Sequence, residues 1–413
     1  MTRNGSQREK AIAVGLILPA IPATVAEDHL EELRKLIEAA GGDPAATVVQ
    51  ERGAPDPATW IGRGKAEQVQ EMVEKLGASL VVFDDDLAPG QVRNLEKMIK
   101  AKIVDRSGLI LDIFARRARS RESQTQVELA QLEYLLPRLT RQWTHLSRQA
   151  GGIGTRGVGE TQLEIDRRMI RKRITKLKEE LKKIERTRET QRRGRARVFK
   201  VALVGYTNAG KSTLFNQLTG GSARAEDLLF ATLDAKLQKT AEPMPRETVI
   251  IDTVGFVRKL PHHLVASFRS TMEEAVAADL VLHVLDVSHP RFEEQREVGN
   301  AVLADLGIPR EKILDVLNKI DRLDGDGGGR RDGVAVSALR GAGLPRLLEE
   351  IRVREVREGQ VLRLQIPVED AKTLSRLYEL ADVQQRREHD SVIEVTAWIP
   401  RDTVHQFEPF AVQ

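Results

Sequence analysis

The chain has 413 residues and no cysteine, so disulfide scaffolds, thiolate metal sites and cysteine nucleophiles are excluded, while the length allows two or three domains with separate cores. Hydrophobic residues make up 41% but aromatic ones only 4%, so those cores must be aliphatic. With 65 Lys and Arg against 61 Asp and Glu the net charge is only +4, and no stretch reaches the roughly 18 apolar residues of a membrane span.

The apolar run Ala11 to Ala26 follows Arg8 and Lys10 in the manner of a signal peptide. Pro19 and Pro22 interrupt it, however, and the run reads better as a buried strand, Ala11 to Leu18. Then follow a helix over Glu27 to Ala40, a strand over Ala46 to Glu51, a helix over Gly64 to Leu76 and a strand over Leu80 to Asp84. A helix over Pro89 to Ile99 and a strand over Lys102 to Val104 complete a small parallel α/β domain. Asp84-Asp85-Asp86 reads as a solvated helix cap rather than a metal site, and Gly62 to Lys65 as a turn rather than a phosphate loop.

Between Gln124 and Glu189 the rhythm changes. Leu129, Leu132, Leu136, Leu139, Trp143 and Leu146, then Leu163, Ile170, Ile174, Leu177, Leu181 and Ile184, recur at spacings of three, four or seven. They predict a long antiparallel helical hairpin, kinked by Pro137 in its first arm. Its tip, Gly151 to Glu160, contains a G-x-G-x-x-G run, but no strand precedes it and a dinucleotide site is rejected. From residue 116 to 197 there are 23 Lys plus Arg against 10 Asp plus Glu, a balance of +13, and the remainder carries −9. A solvated coiled-coil surface needs less charge than that. RNA backbone contact is the better reading, through Arg156 at the tip and Arg167, Arg168, Arg171, Lys172 and Arg173 on the second arm.

Gly205-Tyr206-Thr207-Asn208-Ala209-Gly210-Lys211-Ser212 follows an apolar run, Val198 to Val204, and precedes a helical pattern, Lys211 to Leu218. That is the strand, loop and helix setting of a phosphate-binding loop, in which backbone N–H groups and the helix start face a polyanion. Lys211 would bridge the outer phosphates and the Ser212 hydroxyl would ligate Mg2+. Thr232 lies in a polar loop, and the strand Val249 to Asp252 ends in Asp252-Thr253-Val254-Gly255, offering the metal a carboxylate through water and the terminal phosphate a glycine N–H. Strands at Leu280 to Leu285 and Ile313 to Leu317 follow, the second ending in Asn318-Lys319-Ile320-Asp321. Asp321 can accept two N–H bonds from guanine, where adenine has no matching pair of donors. Asn318 would hold the loop and the base, the Lys319 stem would cover the ring, and after Val334 to Val336 the N–H of Ala338 in Ser337-Ala338-Leu339 would meet the guanine carbonyl. Each element alone suits a turn or a cap; five in order at strand ends resemble the G domain of P-loop GTPases. A helix over Leu344 to Val356 closes it, and Leu362 to Val368, Asp370 to Leu380 and Ser391 to Ile399 predict a small α+β C-terminal domain.

The whole chain then resembles the HflX family of ribosome-associated GTPases, in the Obg-HflX superfamily of the TRAFAC class. The residues that carry this are Gly151 to Arg168, Asp56 to Thr59, Ile61 to Lys65, Asp105 to Phe114 and Val127 to Leu139. The resemblance implies an N-terminal parallel α/β domain (11–115), a helical hairpin (116–195), a G domain (196–356) and a C-terminal domain (357–413), after a disordered tail (1–10). It implies nucleotide contacts from Gly205 through Thr213 and from Phe230, Thr232, Asp252, Gly255, Asn318, Lys319, Asp321, Ser337, Ala338 and Leu339. Lys211, Thr232 and Gly255 would act in catalysis, and Ser212, Thr232 and Asp252 would hold Mg2+. It further implies a cytoplasmic monomer that binds GTP and GDP, the 50S subunit and its 23S rRNA, and splits stalled 70S ribosomes under stress. An RNA-binding regulator of ribosome assembly or RNA modification is the alternative. Val158 departs from the family's usual proline, Asp324 to Gly329 replaces a longer element, and Phe256 stands where related proteins carry a water-orienting glutamine. A phenyl ring cannot fix water, so slow turnover without ribosomes is expected, unless Phe256 only packs, against Leu260 or Leu264.

Overall fold

The structure is a computed structural model that describes residues 8–19, 22–139, 162–193, 198–221, 229–230, 232–259, 269–323 and 332–412. The chain divides into two compact units. The first holds residues 1–187 together with Asp227–Asp234 and Arg258–Arg269, and the second holds the rest.

In the first unit β1 (Lys10–Ile17), β2 (Asp43–Glu51), β3 (Leu80–Phe83) and β4 (Lys102–Val104) form a parallel sheet in the order β2-β1-β3-β4. Helices α1 (Ala23–Ala39), α2 (Arg63–Leu76), α3 (Pro89–Met98) and α4 (Arg106–Arg117) accompany it. Strand alternation explains the two faces. Ile12, Val14 and Leu16 share a core with Val69 and Val73 of α2, Leu95 of α3 and Ile99 just after it. Gly15 points the other way, where a Cβ would lie 2.6 Å from the Leu30 side chain, so the missing side chain lets α1 close on the sheet.

Two loop readings change here. Gly62 to Lys65 is the start of α2, whose first residue is Arg63, rather than a free turn. Asp84 is not a solvated cap: it is buried, and its carboxylate accepts from Arg106 Nη1 at 2.6 Å and Lys259 Nζ at 3.0 Å. Arg106, only 1% exposed, also donates to Glu32. Burial raises the Glu32 pKa, and Arg106 opposes it. Deleting the guanidinium would leave two carboxylates without their shared counter-charge in low dielectric, a loss of about 3–5 kcal/mol.

Helix α4 starts at Asp105, whose Oδ1 accepts from Gly108 N–H at 2.9 Å. The same carboxylate accepts from Tyr134 Oη at 2.7 Å and Arg138 Nη2 at 2.8 Å, tying α5 (Arg121–Leu135) to α4. The first part of the predicted hairpin arm is α5, which ends at Leu135, and the helix breaks at Pro137 in a 3-10 turn, Leu136–Arg138, as a proline there requires. Trp143, Leu146, the glycine-rich tip and Arg156 lie outside the described residues. Helix α6 (Gln162–Arg193) is the predicted second arm, and of its apolar seam Leu177 is fully buried.

In the second unit β5 (Phe199–Gly205), β6 (Lys236–Lys239), β7 (Thr248–Asp252), β8 (Leu280–Asp286), β9 (Ile313–Asn318) and β10 (Val334–Ala335) form a sheet ordered β10-β9-β8-β5-β7-β6. It is parallel except for β6, which runs antiparallel to β7. Helices α7 (Lys211–Thr219), α8 (Arg269–Val276), α9 (Phe292–Asp305) and α10 (Leu344–Glu358) connect the strands. β5 lies between β7 and β8, so chain order reverses there, and sheets of this kind take their ligands beyond the C-terminal ends of the strands at that point. Behind the sheet, burial opposes ionisation of Asp315, but hydrogen bonds from His283, Arg310 and Arg296 outweigh it and hold the carboxyl far below its usual range.

The C-terminal part is an antiparallel sheet, β11 (Gly359–Pro367), β13 (Val392–Pro400) and β12 (Asp382–Glu388), with α11 (Ala371–Leu380) on its apolar face. Arg246 fastens it to the base of the G-domain sheet. Its guanidinium lies 4.0 Å from the Trp398 ring and 4.8 Å from the Phe199 ring, and its Nε is 3.6 Å from Glu355. Among the described residues no helix is long and apolar enough to cross a membrane.

Candidate nucleotide site

The loop after β5 is shaped by two glycines. Gly205 has φ 144°, and a Cβ there would lie 2.2 Å from the Val284 carbonyl oxygen; Gly210 has φ 94°, and its Cβ would lie 2.3 Å from Asn318 Nδ2. Only glycine fits either position. Lys211, the first residue of α7, is 6% exposed and points back along the loop, donating to the carbonyls of Gly205 at 3.0 Å and Tyr206 at 2.8 Å. Ser212 Oγ donates to Asp252 Oδ2 at 2.8 Å, so the hydroxyl and carboxylate expected at the metal converge.

The segment after β7 is stitched onto this loop. Phe256 N–H donates to Gly205 O at 2.9 Å and Thr207 N–H to Phe256 O at 2.7 Å. Gly255 lies between them, where a Cβ would come within 2.8 Å of Lys211 Nζ and of both Thr207 Cα and Cγ2. Gly255→Ala must therefore displace backbone, and turnover should fall about 10^2-fold through misplacement of the reacting groups. Steady-state GTP hydrolysis beside GDP affinity checks this, with GDP binding expected to change much less. Phe256 itself is 2% exposed, so its ring is a packing group; Leu260 and Leu264 lie outside the described residues.

On the base side, Asn318 Nδ2 donates to Ala209 O at 2.8 Å, and Lys319 Nζ donates to Asn208 O at 2.7 Å and to Asp286 at 2.6 Å. Asp286, the last residue of β8, belongs to no motif of the chain, although like Asp252 it is a carboxylate at a strand end. Ser337 Oγ donates to Asp321, and this bond, ahead of burial that opposes it, holds the Asp321 carboxyl below the usual range. The N–H of Ala338 donates to Asn318 Oδ1 at 2.9 Å, which ties the Ser337 to Leu339 loop to the asparagine expected beneath the base. Leu339 is 72% exposed.

Thr213 lies one residue beyond Ser212 in α7. Thr232 and Phe230 belong to the first unit, where both are buried. The Phe230 ring meets Phe114 edge-on, with centroids 4.7 Å apart, so it packs in that core. Of the basic side chains on α6, Arg173 is held by Glu128 at 2.6 and 2.7 Å, and Arg167 donates to Leu139 O at 3.0 Å.

Burial lowers the Lys211 pKa to about 8, with Lys319 acting in the same sense and Asp252 opposing. Phosphate oxygens beside the amine would favour its charged form, so GTP binding should take up a proton between pH about 8 and the ordinary lysine value of 10.5. GTP affinity then falls as pH rises through that window, by up to about tenfold per unit. Calorimetry in two buffers of different ionisation enthalpy reads the proton directly.

Three family models match in succession: "GTP-binding GTPase N-terminal" over residues 27–115, "GTP-binding GTPase Middle Region" over 117–195 and "50S ribosome-binding GTPase" over 200–319. GTPase HflX of Escherichia coli K12 is 44% identical over 383 residues, covering 90% of each chain. The chain belongs to the HflX family of GTPases. GTPase HflX of Caldanaerobacter subterraneus is likewise 44% identical, over 98% of this chain and 94% of that one. A crystal structure of the protein SsGBP in complex with GDP superposes with a TM-score of 0.50 at 26% identity, covering 83% of this chain and 97% of that one. As an HflX-family enzyme the chain hydrolyses GTP, and the loop from Gly205 to Ser212 lies within the residues that the GTPase model matches.

Proposed function

We propose that this GTPase binds the large ribosomal subunit in its GTP form, splits stalled or idle 70S ribosomes under stress, and leaves after hydrolysis. The observation that carries this reading is a strongly cationic segment, +13 over residues 116–197, on the same chain as a guanine-type nucleotide site. The family model for residues 200–319, described as a 50S ribosome-binding GTPase, supports it. We assign the contacts to 23S rRNA to Arg156 and to Arg167, Arg168, Arg171, Lys172 and Arg173 on α6, of which Arg168, Arg171, Lys172 and Arg173 are exposed. Each phosphate they neutralise steepens the salt dependence of binding.

At the nucleotide, Gly205 to Thr213 cradle the phosphates, Lys211 carries the charge facing the outer two, and Gly255 N–H points to the terminal one. Ser212 and Asp252 offer only oxygen donors, which fits a hard cation shared with phosphate and water; Thr232 is the third group we assign. Mg2+, when bound, neutralises charge developing on the phosphates. Asp321 reads guanine, and Asn318 and Lys319 hold the loop beneath it. Phe256 is packed and supplies no water-orienting group, and we assign completion of the site to ribosome contact; full turnover by the free protein would instead place the chemistry on another of its own residues. We place this activity in the cytoplasm, in a monomer.

Sedimentation with a nonhydrolysable GTP analogue tests the reading. Co-migration with 50S particles and loss of the 70S peak are expected. Binding without loss of 70S would favour the RNA-binding regulator instead, and no binding to large subunits with any nucleotide overturns both.

A further inference from the structure

Two short segments that in sequence lie within the G domain, Asp227–Asp234 and Arg258–Arg269, belong to the first unit. One contains Thr232; the other begins three residues after Gly255. Both are fastened to α4, at opposite ends of it.

At the start of α4, Arg106 donates to the Arg258 carbonyl from Nε at 3.2 Å and from Nη2 at 3.0 Å. The same arginine holds Asp84, which also accepts from Lys259 Nζ. Lys259 reaches Asp85 as well, and Arg258 comes within 4.0 Å of Glu32. At the other end Phe114 carries the Phe230 ring. Just beyond the helix, the N–H groups of Arg119 and Ser120 donate to Asp234 Oδ2 at 2.9 and 3.1 Å, and Ser120 Oγ donates to Oδ1 at 2.6 Å. Burial opposes the charge on Asp234, but these bonds prevail and keep its carboxyl ionised below the usual range. Between the two ends α4 is sheathed: Ser107 through Leu111, Ile113 and Phe114 are all buried. A packed helix of twelve residues, ~18 Å long, moves as one piece.

We propose that α4 is a positioning element for GTP hydrolysis, with Arg106 and the Phe114 to Ser120 end holding the segment of Thr232 and the segment after Gly255 as one body. Arg106 is then a positioning residue that acts through the Arg258 carbonyl, and neither segment shifts alone. The inference rests on the assignment of Thr232 and Gly255 to the nucleotide.

The test uses the full chain carrying Asp234→Ala or Lys259→Met, read by amide hydrogen exchange with a GTP analogue and by kcat and KM on ribosomes. Asp234→Ala should speed exchange of residues 256–259, and Lys259→Met that of residues 232–235, each by about tenfold. Both should lower kcat about tenfold while KM changes less than about threefold. Exchange confined to the mutated end, or kcat unchanged in either variant, overturns the proposal. If a variant melts early, Ser120→Ala replaces Asp234→Ala and Lys259→Gln replaces Lys259→Met, under the same criteria. Wild-type chain that fails to bind GTP or large subunits would instead break the underlying functional reading, so the two failures are told apart.

Discussion

Lys211→Met abolishes useful GTP turnover without unfolding the protein: kcat/KM for GTP should fall by about 10^2–10^3, the loss typical of removing one preorganised charge donor. Stability should not follow. Lys211 titrates near 8 in the folded chain and near 10.5 when unperturbed. Below pH 8 both states hold the proton, and the desolvation cost of the buried ammonium is present in full. From 8 to 10.5 the unfolded chain binds more protons, so stability from this group rises with pH. Methionine removes that cost at neutral pH while losing the bonds to Gly205 and Tyr206, and the two changes oppose each other. A melting midpoint within about 3 °C of wild type, alongside lost turnover, is the expected pair. A collapse of the midpoint would mean that the lysine chiefly holds the loop together.

Asp321→Asn exchanges the preferred base. A carboxylate accepts two N–H bonds from guanine; an amide presents one acceptor and one donor, which matches xanthine. Preference between the two triphosphates should swing by roughly 10^4-fold, since a hydrogen-bonding site rejects a base that leaves its polar groups unpaired. Ser337 already donates to one Asp321 oxygen, and the amide oxygen can accept that bond, so the loop keeps its brace. Competition for binding between GTP and xanthosine triphosphate measures the swing, and ribosome-stimulated hydrolysis of the latter shows that the rest of the site survives. Equal loss of both nucleotides would place Asp321 in the scaffold.

Most of the parallel architecture was legible because buried strands leave a strong mark. β1, β3, β5 and β8 are short aliphatic runs ending in turn residues, and their predicted bounds differ from the structure by a residue or so. The loop from Gly205 to Ser212 was legible because its spacing encodes backbone shape, which φ at Gly205 and Gly210 bears out. β6 and β12 were not. Lys236–Lys239 is exposed throughout and Asp382–Glu388 nearly so, and they are edge strands with few buried side chains, so no alternation betrays them. Nor was α4: almost every face of it is covered, and a helix buried all round loses the 3.6-residue stripe. The same gap hid the fate of Asp84. Local sequence favours a cap for an acidic run after a strand, and only the arrival of Arg106 and Lys259, 22 and 175 positions away, makes it a buried counter-ion. The bond from Ala338 N–H to Asn318 was hidden for a related reason, because the two lie 20 residues apart in the chain.

The guanidinium between Phe199 and Trp398 has a practical corollary for anyone building chimaeras. Three positions spread over two hundred residues are co-dependent, so a tail borrowed from a relative brings its own ring to a cation it was never matched with. Hybrids that exchange 246 and 398 together should express and remain dispersed, whereas those that exchange only one should precipitate.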